Sequence, residues 1–355
     1  MTIVFIFIIS FHIVILGISI YNFLFTPSFL EKEIPQMEPM VSVLIEAGNN
    51  EDHIENILND ISIQGWNKHE TVVIIDNSND NTEELIRKHM SHDNRITLIK
   101  SKETPENWTR KNWNCHQLSQ KANGEYYIFI DPLCRITPWL ISSIIAKMEK
   151  HNLDLLSSFP RQIMKSIGEH LSTPLMNWLI LSFIPIHKIF SFSHKSAAIA
   201  SCDLIAFNSS SYKTIGGHKD VAHMSVEYMK LAQLYKEKKS SIMTILGGNG
   251  ISCRKYKSFI EGFKESTKQI YPVYNKSKIL FFMLILLGEL LFLFSLLLPF
   301  FYKPWIAIIL IICLQRYIVS LTVKENKIIN IILHPFQIIT MGFIAFTSMN
   351  KHSKE

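Results

Sequence analysis

The chain reads as an α/β domain with a mostly parallel sheet, carrying transmembrane helices at its N-terminal and C-terminal ends. Apolar runs at residues 41–45, 71–75 and 126–130 each stop abruptly in a polar turn, the pattern of buried parallel strands. Between the first two, Ile54, Ile57, Leu58 and Ile61 recur at helical spacing, so strand and helix alternate as right-handed crossovers require. Apolar residues also crowd into 1–25 and 279–349, while the middle keeps the composition of a soluble domain.

At 355 residues and 48% hydrophobic, the chain has room for one α/β domain and several membrane spans. Its five cysteines (Cys115, Cys134, Cys202, Cys253 and Cys313) lie far apart with no C-x-x-C pair. That spacing points away from a zinc site or a disulfide framework and toward a reducing, cytosol-facing domain. A net charge of +6 suits a protein whose basic residues gather at the cytoplasmic face of a membrane, and it does not argue for nucleic acid.

Residues 1–25 form a spanning anchor rather than a cleaved signal, since no basic segment precedes the apolar run and no small-residue cleavage site follows it. Pro27, Pro35 and Pro39 make an extended linker into the first strand. The second strand ends in Asp76 and a run of Asn, Ser and Asp that also caps a helix beginning near Glu83. Residues 96–99 supply a third short strand. An aromatic, basic turn over 105–115 then leads into a helix at about 115–122. Strand 126–130 delivers Asp131 to the C-terminal edge of the sheet, where open α/β sheets bind ligands.

Beyond it the pattern predicts a helix over 138–150 and a strand over 153–159. Pro174 and Pro185 break the apolar stretch 171–190, which therefore reads as helices in the membrane interface, with Trp178, His187 and Lys188 at headgroup level. A small, apolar run at 197–207 precedes Gly216, Gly217 and His218, then a helix over 226–238. The basic residues Arg254, Lys255, Lys257, Lys264, Lys268, Lys276 and Lys278 lead into apolar segments at 279–301, which contains Glu289, at 305–323 and at 328–349. His334 and Pro335 interrupt the last, which either spans or re-enters. Lys324 and Lys327 put the connecting loop on the side of the globular domain, which the positive-inside rule makes cytoplasmic. The expected organisation is an anchor at 1–25, a globular domain at 40–260, and a membrane region of two to three spans at 279–349.

Taken in order, Asp76-Asn77-Ser78, the run Trp108-Thr109-Arg110-Lys111-Asn112-Trp113, Ile130-Asp131, Gly216-Gly217-His218, Val226-Glu227 and Cys253-Arg254-Lys255-Tyr256 resemble the membrane-bound family 2 glycosyltransferases. The group they resemble includes the carotenoid-acid enzymes of the diaponeurosporenoate type. The resemblance implies a GT-A nucleotide-sugar-binding domain, a nucleotide-diphosphate donor, expected to be a UDP-sugar, a lipophilic acceptor, and inverting transfer at a cell membrane. It also implies a divalent cation, Mn or Mg, at the leaving diphosphate. On these positions Asp76 corresponds to the acid that contacts the nucleobase and Lys111 to a lysine that reaches the nucleotide. Asp131 corresponds to the first carboxylate of the Asp-x-Asp motif, for donor and metal, and Glu227 to the first acid of a catalytic Glu-Asp pair.

The chain departs from the family at positions that matter. Leu133 replaces the second aspartate of Asp-x-Asp, Tyr228 replaces the expected base, and Glu46-Ala47-Gly48-Asn49-Asn50 replaces Pro-Ala-Arg-Asn-Glu. These departures keep open a second reading, a catalytically impaired relative that binds lipid or a partner enzyme. Local roles also stay open: Asp131 could cap its own turn, Asp76 could serve its Asn/Asp-rich turn, Glu227 could be a solvated helix acid, and His218 a satisfied turn histidine.

Overall fold

The computed structural model describes residues 2–191, 198–273 and 306–352, with Phe292 and Ser295. The expected span at 279–301, with Glu289, otherwise lies outside the described residues. In order, the elements begin α1 (Thr2–Phe25), β1 (Val41–Ala47), α2 (Ile54–Ser62), β2 (His69–Ile75), α3 (Thr82–Met90) and β3 (Ile96–Lys100). There follow α4 (Arg110–Lys121), β4 (Tyr126–Ile130), β5 (Cys134–Ile136), α5 (Leu140–Lys150), β6 (Leu155–Phe159), β7 (Arg161–Gln162), α6 (Ile167–Ser172), α7 (Pro174–Phe183) and α8 (Ile186–Ser191). Next come β8 (Leu204–Asn208), α9 (Ser209–Ile215), α10 (Glu227–Glu237), β9 (Ile242–Leu246), β10 (Ile251–Cys253) and α11 (Phe259–Val273). Helices Ile306–Thr322 and Lys327–His352 close the described chain. These elements form two compact units, Pro27–Arg161 with His187–Cys253, and Met1–Thr26 with Gln162–Ile186 and Arg254–Glu355.

The first unit is built on a seven-stranded sheet in the order β3-β2-β1-β4-β8-β6-β9. The pairs β3-β2, β2-β1, β1-β4 and β6-β9 are parallel, and β8 runs antiparallel between β4 and β6. Strand alternation sorts β1 between two faces. Val41, Val43, Ile45 and Ala47 join Ile54, Leu58, Ile86, Ile141 and Ile144 in one core with α2, α3 and α5. Ser42, Leu44 and Glu46 therefore point to the opposite face, where α4 packs on β1 and β2. There Phe207 meets Phe129, Tyr212 and Tyr235 at centroid separations of 5.9, 5.1 and 5.6 Å.

Two differences from the expected elements bear on the site. Helix α4 begins at Arg110, a turn before the expected start, because Thr109 is an extended N-cap whose hydroxyl accepts the Asn112 N–H. Strand β1 runs on to Ala47 because its carbonyl accepts the Asp76 N–H at 2.9 Å, which prolongs the ladder with β2.

Among its described residues the second unit exposes many apolar side chains and buries a set of polar ones beside two small apolar clusters. Ile328, Ile332, Phe336, Phe343 and Phe346 form an exposed stripe on the last helix, and Ile6, Phe7, Ile13 and Val14 are exposed on α1. Its interior holds His12, Ser19, Asn22, Gln315, Arg316, Asn330, His334 and Gln337. Asn22 Nδ2 donates to the carbonyls of Leu181 and Ile184 at 2.9 and 2.8 Å, and Gln315 Nε2 donates to the hydroxyls of Ser19 and Ser182 at 3.1 and 2.6 Å. Among the described residues two helices, Phe5–Phe25 and Lys327–Asn350, are long and apolar enough to cross a membrane. The interruption expected at Pro335 does not occur. Helix Lys327–His352 continues through it, losing one ladder bond while His334, Gln337 and Ile338 stay buried around the defect.

Gly124 is a position where the unit built on the sheet has no room for a side chain: its N–H donates to Ser42 Oγ at 2.8 Å, and an added Cβ would lie 2.6 Å from the Ser42 nitrogen. Gly124→Ala should lower stability by about 1–3 kcal/mol. Thermal melts of solubilised protein check this, and a variant that melts with the wild type would show that the strand entrance yields.

Candidate active site

Parallel register gathers the site. The β1–β2 pairing ends at Ala47 opposite Ile75, so Asp76 follows directly at the strand edge. The β1–β4 pairing places Leu44 opposite Phe129, and the same offset carried forward sets Asp131 level with Glu46. Glu46, Asp76 and Asp131 consequently line one cavity of about 270 Å³ with Ala47, Gly48, Asn50, Pro132 and Leu133.

Helix α4 supplies the polar groups that hold two of these acids. Asn114 Nδ2 donates to Glu46 Oε1 at 2.7 Å and to Asp76 Oδ2 at 2.8 Å, while its own carbonyl accepts from Ser101 Oγ. Arg110 engages both Asp76 oxygens in a bidentate ion pair. That guanidinium bonding, ahead of an opposing desolvation, holds the Asp76 carboxyl below the usual carboxylate range. Glu46 behaves oppositely. Burial pushes its carboxyl up to about 7, although the Asn114 amide and the Lys111 charge act the other way.

The other two expected residues meet each other. Asn112, fully buried, donates through Nδ2 to the carbonyls of Val221, Ala222 and Met224 at 2.7, 2.9 and 3.0 Å, tying the start of α4 to the segment before α10. Glu227 is the first residue of α10 and is buried, so Lys111 Nζ comes to 2.8 Å from its Oε1. Desolvation would lower the Lys111 ammonium, but the Glu227 carboxylate outweighs it and leaves the group well above its ordinary value.

Asp131 stands at the open edge, with Oδ1 accepting the Leu133 N–H at 2.9 Å. Leu133 is half-buried and packs against the main core, so its side chain serves packing rather than ligation. His218 is held by Tyr212: its N–H donates to Tyr212 Oη at 3.1 Å, and burial depresses the imidazole to about 3. The tryptophans of the aromatic run pack on each other and on His116, with Trp108 and Trp113 centroids 5.2 Å apart. Reasoning from sequence missed Glu46, Asn114 and Arg110 as members of the site. Strand parity was the available signal for Glu46, since two steps from Leu44 it shares the α4 face.

Residues 42–216 match the model of the glycosyl transferase family 2. The chain carries a family 2 glycosyl transferase domain. A 4,4'-diaponeurosporenoate glycosyltransferase of Staphylococcus haemolyticus is 25% identical over 256 residues, a match covering 70% of this chain and 66% of that relative, just under two thirds of its length. The fold is shared with a mannosyltransferase of Pyrobaculum calidifontis solved with GDP-Man and Mn2+, at a TM-score of 0.54 and 13% identity over 96% of this chain and 97% of that one. The family 2 domain thus has the GT-A fold, with Asp76, Lys111 and Asp131 inside the matched stretch and Glu227 beyond it.

The fold family implies a divalent cation. No group of three or more His, Cys, Asp or Glu among the described residues could cage one. Mg²⁺ in phosphate-binding sites commonly needs only one or two carboxylates plus substrate phosphates, and Asp131 at the cavity wall fits that more modest role.

The raised Glu46 carboxyl makes stability fall with pH. The folded state keeps a proton there that the unfolded chain has lost, so stability present below about 4.5 declines as pH rises to about 7 and is level above it. Glu46→Gln should remove on the order of 2 kcal/mol of that decline. Unfolding midpoints from pH 5 to pH 8 check it, and parallel curves for wild type and variant would exclude Glu46 as the titrating group.

Proposed function

We propose that the protein is a membrane-bound, inverting glycosyltransferase that moves a sugar from a nucleotide-diphosphate sugar, a UDP-sugar, to a lipophilic acceptor. The observation that carries this is the single cavity at the strand edges where Asp76 and Asp131 converge within a family 2 domain. The donor's nucleoside lies toward Asp76, whose charge and orientation Arg110 and Asn114 fix. Its diphosphate lies toward Asp131 and the Lys111 ammonium. A divalent cation, Mn or Mg, bound by Asp131 and the diphosphate would offset the charge that develops on the leaving group.

Lys111 and Glu227 then act as a linked pair. A diphosphate that draws Lys111 away leaves the Glu227 carboxylate to take the proton of the acceptor's attacking group, standing in for the acid that Tyr228 replaces. Donor binding thereby prepares the base, and an empty site keeps Glu227 neutralised.

The inside-out second unit supports the membrane assignment. A water-soluble helical unit hides its apolar stripe, whereas this one exposes stripes of large hydrophobic residues on its first and last helices and buries Asn22, Gln315 and Arg316. We assign it to the cell membrane as a multi-pass region with the family 2 domain cytoplasmic.

Calorimetric titration of detergent-solubilised protein with UDP and UDP-sugars, with and without Mn²⁺ or Mg²⁺, tests the donor site. Wild type should bind in a metal-dependent way, and Asp131→Asn should weaken binding roughly ten- to hundredfold. Equal binding by the variant would remove Asp131 from the site. Metal-dependent binding without turnover on any isoprenoid acceptor would favour the impaired-relative reading, for which the core-packed Leu133 speaks.

A further inference from the structure

Among the described residues of the second unit several interior polar groups lack a partner, and Arg316 is the one of them that carries a fixed charge. Arg316, on helix Ile306–Thr322, is 0% exposed, and its Nη2 donates to Gln337 Oε1 at 2.9 Å. Among the described residues its Nε and Nη1 have no hydrogen-bond partner, and neither ring nitrogen of the buried His334 makes a hydrogen bond of good geometry, although Gln337 lies beside it. His334 and Gln337 are three residues apart on one helix and share a face, so the open donors of Arg316 and the imidazole belong to one polar spot. The nearby acid Glu325 accepts from Asn177 Nδ2 and Asn330 Nδ2, both at 2.8 Å; it is linked to Arg316 through Asn330 and Gln337 and by the direct attraction of the two buried charges.

A guanidinium taken wholly out of water with two idle donor atoms is far costlier than the hydroxyl and amide network beside it, and an ion or ligand is the ordinary explanation for such an orphan. Neighbouring Gln315 shows the contrast, since its amide serves Ser19 and Ser182 while its carbonyl accepts from Trp178 Nε1 at 3.1 Å. We propose that Arg316, with His334 and Gln337, binds the anionic head group, carboxylate or phosphate, of a single-headed amphiphile whose apolar tail lies along the unit. The charge calls for an anion with acceptor oxygens that a planar fork can grip in pairs. The apolar exterior calls for a ligand that arrives from the hydrocarbon phase rather than from water. The tail, though not the anion, rests on the membrane reading above, which carbonate extraction of cell membranes tests by itself.

The test uses the full chain in detergent micelles with three probes: oleate, oleyl alcohol and inorganic phosphate. Wild type should bind oleate at least about tenfold more tightly than oleyl alcohol, whose tail is the same, and about tenfold more tightly than phosphate. Arg316→Gln, shown by its melt to be folded, should bind the acid and the alcohol alike. Equal affinity of wild type for oleate and oleyl alcohol would overturn the proposal, and that comparison needs no variant should Arg316→Gln fail to fold. Phosphate binding as tight as oleate would make the ligand a free anion and overturn the amphiphile. Undiminished oleate preference in folded Arg316→Gln would place the anion elsewhere.

Discussion

The amide of Asn114 is the joint on which the candidate site depends. It touches Glu46 from β1 and Asp76 from the end of β2 at once, so two strands and α4 are fixed in one register by a single side chain. Two carboxyls brought this close would repel if both were charged. The site resolves the conflict by asymmetry: Arg110 keeps Asp76 anionic, while burial raises Glu46 to about 7, so that it is only partly ionised near neutral pH. The Glu46–Asp76 pair therefore presents one fixed charge and one group whose charge a ligand can change. Asn112, two residues earlier, ties the same helix to the carbonyls before α10, and so the pairing of Lys111 with Glu227 inherits the placement of α4.

The two units solve opposite solvation problems with the same chemistry. In the sheet unit, alternation hides Val41, Val43 and Ile45 and leaves polar groups at strand ends, where water or a ligand can meet them. In the helical unit polar groups such as Asn22 and Gln315 go inward and find partners there, the arrangement that an apolar surrounding phase would demand. Such pairing inside an apolar phase is specific as well as stabilising, since each donor must be placed to meet a particular acceptor.

Much of this was legible in the sequence where a signal was local. The strands ending at Ile75 and Ile130 and the acids that follow them stand out because an apolar run stops at a carboxylate. The antiparallel place of β8 did not, since strand direction is decided by partners far away in sequence. The start of α4 was misplaced because Thr109 acts as a cap only once Asn112 is helical, and an aromatic, basic run conceals that. Lys111 and Glu227 were recognised one at a time, yet their contact spans 2.8 Å across elements more than a hundred residues apart and no spacing rule could bring them together. Continuity through Pro335 was equally hidden, because burial of its neighbours comes from other helices.

The seat of Leu133 has a consequence for how this site can change. Its side chain contributes to the main core, while the turn it belongs to is held by the Asp131 carboxylate and the Leu133 backbone. Exchange at this position is therefore lopsided: an apolar residue gains packing and avoids a half-buried charge, whereas an acid would surrender the packing and need a cation to be comfortable. Packing by itself favours an apolar residue there, independently of the chemistry at Asp131. The identity of residue 133 thus reports on the foundation beneath the cavity as much as on the reaction above it.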